Sequence, residues 1–124
     1  MKESKRQRQV GEMIRRHFGS VLMAEGSYIY GRALVTVTNV IMSSDLGQAK
    51  IYLSVYNTEN KQEVMLMMDE HVIPLRKALS QRIKKHVRRI PRIAFYIDET
   101  VDEMYRIDQM FDGIGMPKKS QEEE

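Results

Sequence analysis

The chain has 124 residues and no cysteine, so disulfides and thiolate metal sites are excluded and one modest domain is the expected organisation. No apolar run approaches the roughly 20 residues of a membrane-spanning helix. The opening MKESKRQRQV lacks the apolar stretch of a secretory signal, so a soluble cytoplasmic protein is expected. The net charge of +3 conceals segregation: residues 2–16 and 76–92 together carry 14 of the 20 basic side chains, and the second stretch contains no acid. Acids gather instead at Asp98, Glu99, Asp102, Glu103, Asp108 and Asp112, and again at Glu122 to Glu124.

In chain order, Ser4 is a candidate N-cap. Val10, Met13, Ile14, Phe18, Val21 and Leu22 follow at helical spacing. They predict an amphipathic helix over roughly residues 5–24, basic on its outer face and broken at Ala24-Glu25-Gly26-Ser27. Residues 33–42 are β-branched, with Val35 and Val37 on one face and Thr36 and Thr38 on the other. Ser43 to Gly47 has the composition of a turn, and residues 49–56 alternate Ile51, Leu53 and Val55 against Lys50, Tyr52, Ser54 and Tyr56. The two runs predict an antiparallel hairpin.

Helical period returns near Thr58, with Val64, Met65, Met68 and Val72 sharing a face and Pro74 expected to kink or break the helix. The methionines Met65, Met67 and Met68 read as gap-filling core. A second stripe, Leu75, Leu79, Ile83 and Val87, predicts a helix that ends at Pro91, with much of the basic run on its opposite face. RIAFYI at 92–97 alternates again as a third strand. The acidic stretch is expected to form a turn and a short helix around Met104, Ile107 and Phe111, and residues 113–124 a disordered tail beyond a domain of residues 1–112. The order α-β-β-α-α-β, with three strands and helices packed on one face, defines an α+β fold.

Little in this chain suggests catalysis. His17, His71 and His86 have no metal-ligand spacing and read as ordinary surface or boundary residues. Neighbouring acids such as Asp69/Glu70 diverge on a helix and make poor acid–base pairs. Ser43-Ser44-Asp45 has no nearby histidine, and there is no phosphate-binding glycine loop. No cofactor, metal or small-molecule substrate is expected, and no enzyme.

The basic run is the sharper signal. Eight cations within 17 residues repel one another unless a polyanion relieves them, so a phosphate backbone is the natural partner. The expected RNA-binding residues are Lys5, Arg6, Arg8, Arg15 and Arg16 with Arg76, Lys77, Arg82, Lys84, Lys85, Arg88 and Arg89. Tyr52, Tyr56 and Tyr96 share the strand face opposite the apolar one, where they either stack bases or cover an open sheet.

Several stretches resemble one family. These are RQRQVGEMIRR at 6–16, VTVTNVIMSSDLGQAKIYLSV at 35–55, LRKAL at 75–79, RRIPRIAFYIDET at 88–100 and RID at 106–108. They are similar to ribosome-binding factor A, whose fold is a type II KH-like domain. The resemblance spans about residues 6–111. It implies a monomeric, cytoplasmic, non-catalytic assembly factor. Such a factor binds the free small ribosomal subunit and its rRNA, assists late 16S rRNA maturation, leaves before translation and supports growth in the cold. Ribosomal proteins are further candidate partners. Where KH domains carry a G-x-x-G loop and this family an Ala-x-Gly kink, the chain has His71-Val72-Ile73-Pro74. Contact is therefore expected through basic side chains, with Pro74 supplying the kink, and the helix from Leu75 to Pro91 is expected to be slightly longer than in the family. A second reading, from another class, is a protein-interaction adaptor that uses the acidic segment 98–112 and the tail.

Overall fold

The computed structural model describes residues 3–98. The acidic segment from Glu99, its expected short helix and the tail 113–124 lie outside the described residues. Helix α1 (Lys5–Tyr30) begins at a capping box: the Gln7 amide donates to Ser4 Oγ at 3.1 Å and the Ser4 amide donates to Gln7 Oε1 at 2.7 Å. Val10, Ile14, Phe18, Val21 and Leu22 form its buried stripe, each contributing about 1.5–3 kcal/mol relative to exposure.

The helix does not break at residues 24–27 but continues to Tyr30 and ends at Gly31, whose φ is 67°. Gly26 faces inward, and the Tyr30 ring fills the space its missing side chain would need. Ile29 and Tyr30 pack against the core, so burial extends the helix past the residues that looked like a stop.

Strands β1 (Leu34–Met42) and β2 (Gln48–Tyr56) pair antiparallel, as the hairpin reading anticipated. Their register shifts between Val37 and Asn39. This bulge moves the inward set from Val35 and Val37 to Val40 and Met42, which a strict two-residue alternation would have turned outward. At the bulge, Thr38 Oγ1 lies within hydrogen-bond distance of Asp98 Oδ2 (2.6 Å) and of the Tyr52 carbonyl (3.2 Å).

The turn between the strands is held by side chains. Ser43 Oγ donates to Asp45 Oδ1 at 2.8 Å, and the Gly47 amide donates to the same oxygen at 3.0 Å. Strand β3 (Arg92–Ile97) runs parallel to β2, giving the order β1-β2-β3.

The segment between β2 and β3 contains α2 (Lys61–Glu70) and α3 (Val72–Ile83). Asn60 caps α2 by accepting the Glu63 amide at 3.0 Å. The helices break at His71, not at Pro74. Pro74 is the third residue of α3, in a first turn where a missing N–H costs nothing. The α3 helix ends at Ile83, eight residues short of Pro91. Residues 84–91 turn and run back because β3 must begin opposite Gln48, and the Arg92 amide there donates to the Gly47 carbonyl at 2.9 Å. The expected long basic helix is therefore a helix followed by a basic loop.

Ala49, Ile51, Leu53, Val55, Ile93 and Phe95 line the sheet's buried face, where the helices cover it. Phe18 of α1 stacks on Phe95 of β3 with centroids 5.6 Å apart, locking the first element to the last. Met65 and Met68 are buried and Met67 partly so, as the core reading expected.

Candidate nucleic-acid interface

The twelve predicted basic residues do not form one surface. A helix turns 100° per residue, so Arg6 and Arg16 lie on one flank of α1 and Arg8 and Arg15 on another. The first flank faces the loop after α3. Arg6 lines a hollow of about 520 Å³ with Asp45, Leu46, Val87, Arg88 and Arg89. A few residues along, Arg6 and Arg16 line a second hollow, of about 400 Å³, together with Gln9, Met13, His17 and His86. Arg82, on the last turn of α3, is close enough to His17 to disfavour its protonation.

Arg6, Arg16, Arg82, Arg88 and Arg89 are all exposed. The carboxylate within this group is Asp45, which is engaged by its own turn. The Gly47 amide, then the Ser43 hydroxyl, hold it below the ordinary carboxylate range, and Arg89 adds a smaller attraction. Lys84 and Lys85 are exposed just past Ile83, at the negative end of the α3 dipole.

The second flank is mixed in sign. Arg8 and Arg15 line a recess with Glu3, Glu12 and Asn39, beside β1. Arg8 Nη1 donates to the Glu3 carbonyl at 3.0 Å, and Arg15 chelates Glu12 through Nε at 3.0 Å and Nη2 at 2.5 Å. That exposed pairing lowers the Glu12 pKa and raises that of Arg15, and it contributes at most a few tenths of a kcal/mol. Lys5, near the start of α1, is exposed, and Lys77 lies farther along beside Glu25, Tyr28 and Pro74.

Arg76 is diverted from the surface. Its Nε donates to the Pro91 carbonyl at 2.9 Å and its Nη2 to the Ile90 carbonyl at 2.7 Å, which staples α3 to the strand that follows.

Tyr52 and Tyr96 stack on each other at 5.5 Å, on the sheet face away from the helices and apart from the cationic hollows. Sequence reasoning set His17 and His86 aside, yet both sit in the second hollow. The signal was present: each directly follows a basic pair, Arg15-Arg16 and Lys84-Lys85. Among the described residues, no three His, Asp or Glu side chains come together as a metal site, and no helix is long and apolar enough to cross a membrane.

An α-β-β-α-α-β chain with a three-stranded sheet, helices on one face and a short break between the second and third helices defines a KH-like α+β domain of type II. The sequence profile of ribosome-binding factor A matches residues 6–111, and the chain belongs to that family. A ribosome-binding factor A of Cytophaga hutchinsonii is 38% identical over 120 residues, covering 97% of this chain and 90% of that one. The crystal structure of ribosome-binding factor A from Thermus thermophilus superposes with a TM-score of 0.62 at 21% identity, over 73% of this chain and 94% of that one. A homology model of the Thermus thermophilus factor, fitted into a cryo-EM map of a 30S complex, superposes with a TM-score of 0.56 at 22% identity, over 69% of this chain and 88% of that one. At these identities the structural likenesses establish the fold.

Proposed function

We propose that this protein binds the free small ribosomal subunit through the face built from α1 and the loop after α3, and assists late maturation of 16S rRNA without catalysing a reaction. The observation that carries the reading is the convergence of Arg6, Arg16, Arg82, Arg88 and Arg89 from three separate segments onto one side of the domain. Family membership supports it, as does the fitting of a relative into a 30S complex. Phosphate contacts supply affinity, and the folded shape of the rRNA supplies selectivity. The protein acts as a cytoplasmic monomer, and the chemistry needs no cofactor.

The test is co-sedimentation of the protein with free small subunits, large subunits and joined ribosomes across a salt series. Binding confined to free small subunits, weakening linearly in log–log form as salt rises, is the expected result. Equal binding to all three particles reduces the protein to a generic basic RNA binder. Binding that is indifferent to salt removes the cationic face from the account and favours an adaptor acting through its acidic segment.

A further inference from the structure

The second cationic hollow contains something that phosphate binding by arginine does not require. His17, half-buried on α1, and His86, exposed in the loop after α3, bring their rings to a centroid separation of 6.4 Å with 29° between planes. Arg6 and Arg16 line the hollow with them, and the uncharged Gln9, Val10 and Met13 complete it. The charged and titratable groups facing His17 are Arg16 from its own helix, Arg82 from α3 and His86 from the loop. All are basic.

Two imidazolium rings this close, among guanidinium groups, repel one another. With no anion present, burial first, then Arg16, Arg82 and His86, hold the His17 pKa below its ordinary value of about 6.5. An oxyanion in the hollow inverts that balance. It accepts N–H bonds from the rings and from the arginines, and its charge favours the protonated imidazoles.

We propose that His17 and His86, with Arg6, Arg16 and Arg82, form a proton-linked seat for one phosphate group of the RNA backbone. On binding, the imidazole pair takes up a proton from solvent, and on release it returns it. No covalent bond changes. Affinity for RNA then depends on pH in a defined direction: it is tighter below the pKa of the occupied pair and weaker above it. The seat deepens the proposed function and rests on it, because the phosphate is that of the small-subunit rRNA.

Two measurements separate the seat from that reading. The first is an NMR titration of the imidazole protons of the full chain, in inorganic phosphate and in chloride at matched ionic strength. The expected result is that phosphate raises the pKa of His17 and moves the ring resonances of both His17 and His86, while leaving the His71 resonances in place. His71 is the internal control, with its Nδ1 at 2.8 Å from the Met67 carbonyl at the α2–α3 break. No rise at His17, or equal movement of the resonances of all three rings, overturns the seat.

The second is co-sedimentation with free small subunits at about pH 6 and about pH 8 at constant salt. About three- to fivefold tighter binding at the lower pH is expected for a gain of about one pKa unit, because the full factor of ten is reached only well below the unoccupied pKa, which for His17 already lies under its ordinary value. The double variant His17→Gln with His86→Gln is expected to lose that difference and to keep its salt dependence. An affinity unchanged by pH, or equally pH-dependent in the double variant, overturns the seat while leaving the function standing. A phosphate-induced rise without pH-dependent subunit binding makes the hollow a free-anion site and overturns the RNA assignment. If the wild-type chain fails to sediment with subunits at either pH, the functional reading falls, and the seat for RNA phosphate falls with it.

Discussion

Along one flank of α1, Arg6 and Arg16 face a loop that carries Arg88 and Arg89. Along the other, Arg8 and Arg15 stand beside Glu3 and Glu12 against β1. The residue types are the same and the helix is the same. What differs is the partner surface, and it converts one pair of arginines into an open cationic face and the other into a locally neutralised side wall. A count of basic residues treats the flanks alike, whereas the field a polyanion meets does not.

The largest effect that sharpens this comparison is expected at Arg76, a cation whose guanidinium is engaged by two main-chain carbonyls. Arg76→Ala orphans the carbonyls of Ile90 and Pro91 and is expected to cost about 2–3 kcal/mol. The measurement is a shift of the urea midpoint at constant m-value. Lost subunit affinity at unchanged stability would return Arg76 to the binding surface.

Next is Gly11, on the β1-facing flank, where an added Cβ would lie 2.9 Å from the Val40 carbonyl oxygen. Gly11→Ala gains about 1 kcal/mol of helix propensity but forces α1 away from β1, for a net loss of about 1–2 kcal/mol. A thermal melt that rises instead would show that the wall is not tightly packed.

Smallest in free energy, and most direct for the comparison, is a matched pair of double variants. Arg6→Gln with Arg88→Gln is expected to weaken small-subunit binding about tenfold and to lower the log–log salt slope by about two. Arg8→Gln with Arg15→Gln is expected to change affinity less than about twofold, because Arg15 is already paired with the Glu12 carboxylate and Arg8 is held on the Glu3 main-chain carbonyl. Equal losses in the two double variants would erase the distinction between the flanks.

Periodicity located every strand to within a residue or two, because strands buried on one face must alternate. It missed the shift at Thr38 because a bulge leaves no mark in composition. Helix ends were the weak point, and each miss has a tertiary cause. Gly26 is covered by Tyr30, so α1 runs on. His71 ends α2 one turn early, so Pro74 merely opens α3. Residues 84–91 must return to the start of β3, so α3 stops at Ile83 despite the apolar stripe that continues to Val87.

The sequence by itself determined the α+β element order, the buried stripes, the family and the presence of two basic clusters. All of these rest on local spacing or on words read along the chain. Only the tertiary structure decided which cations act together. It set Arg6 opposite Arg88 and Arg89 and Arg16 beside His86, engaged Arg76 with two carbonyls, and brought His17 and His86 within 6.4 Å across 69 positions of sequence. Charge acts through space, and the distances through space between segments far apart in the chain are set by packing, which no local pattern encodes.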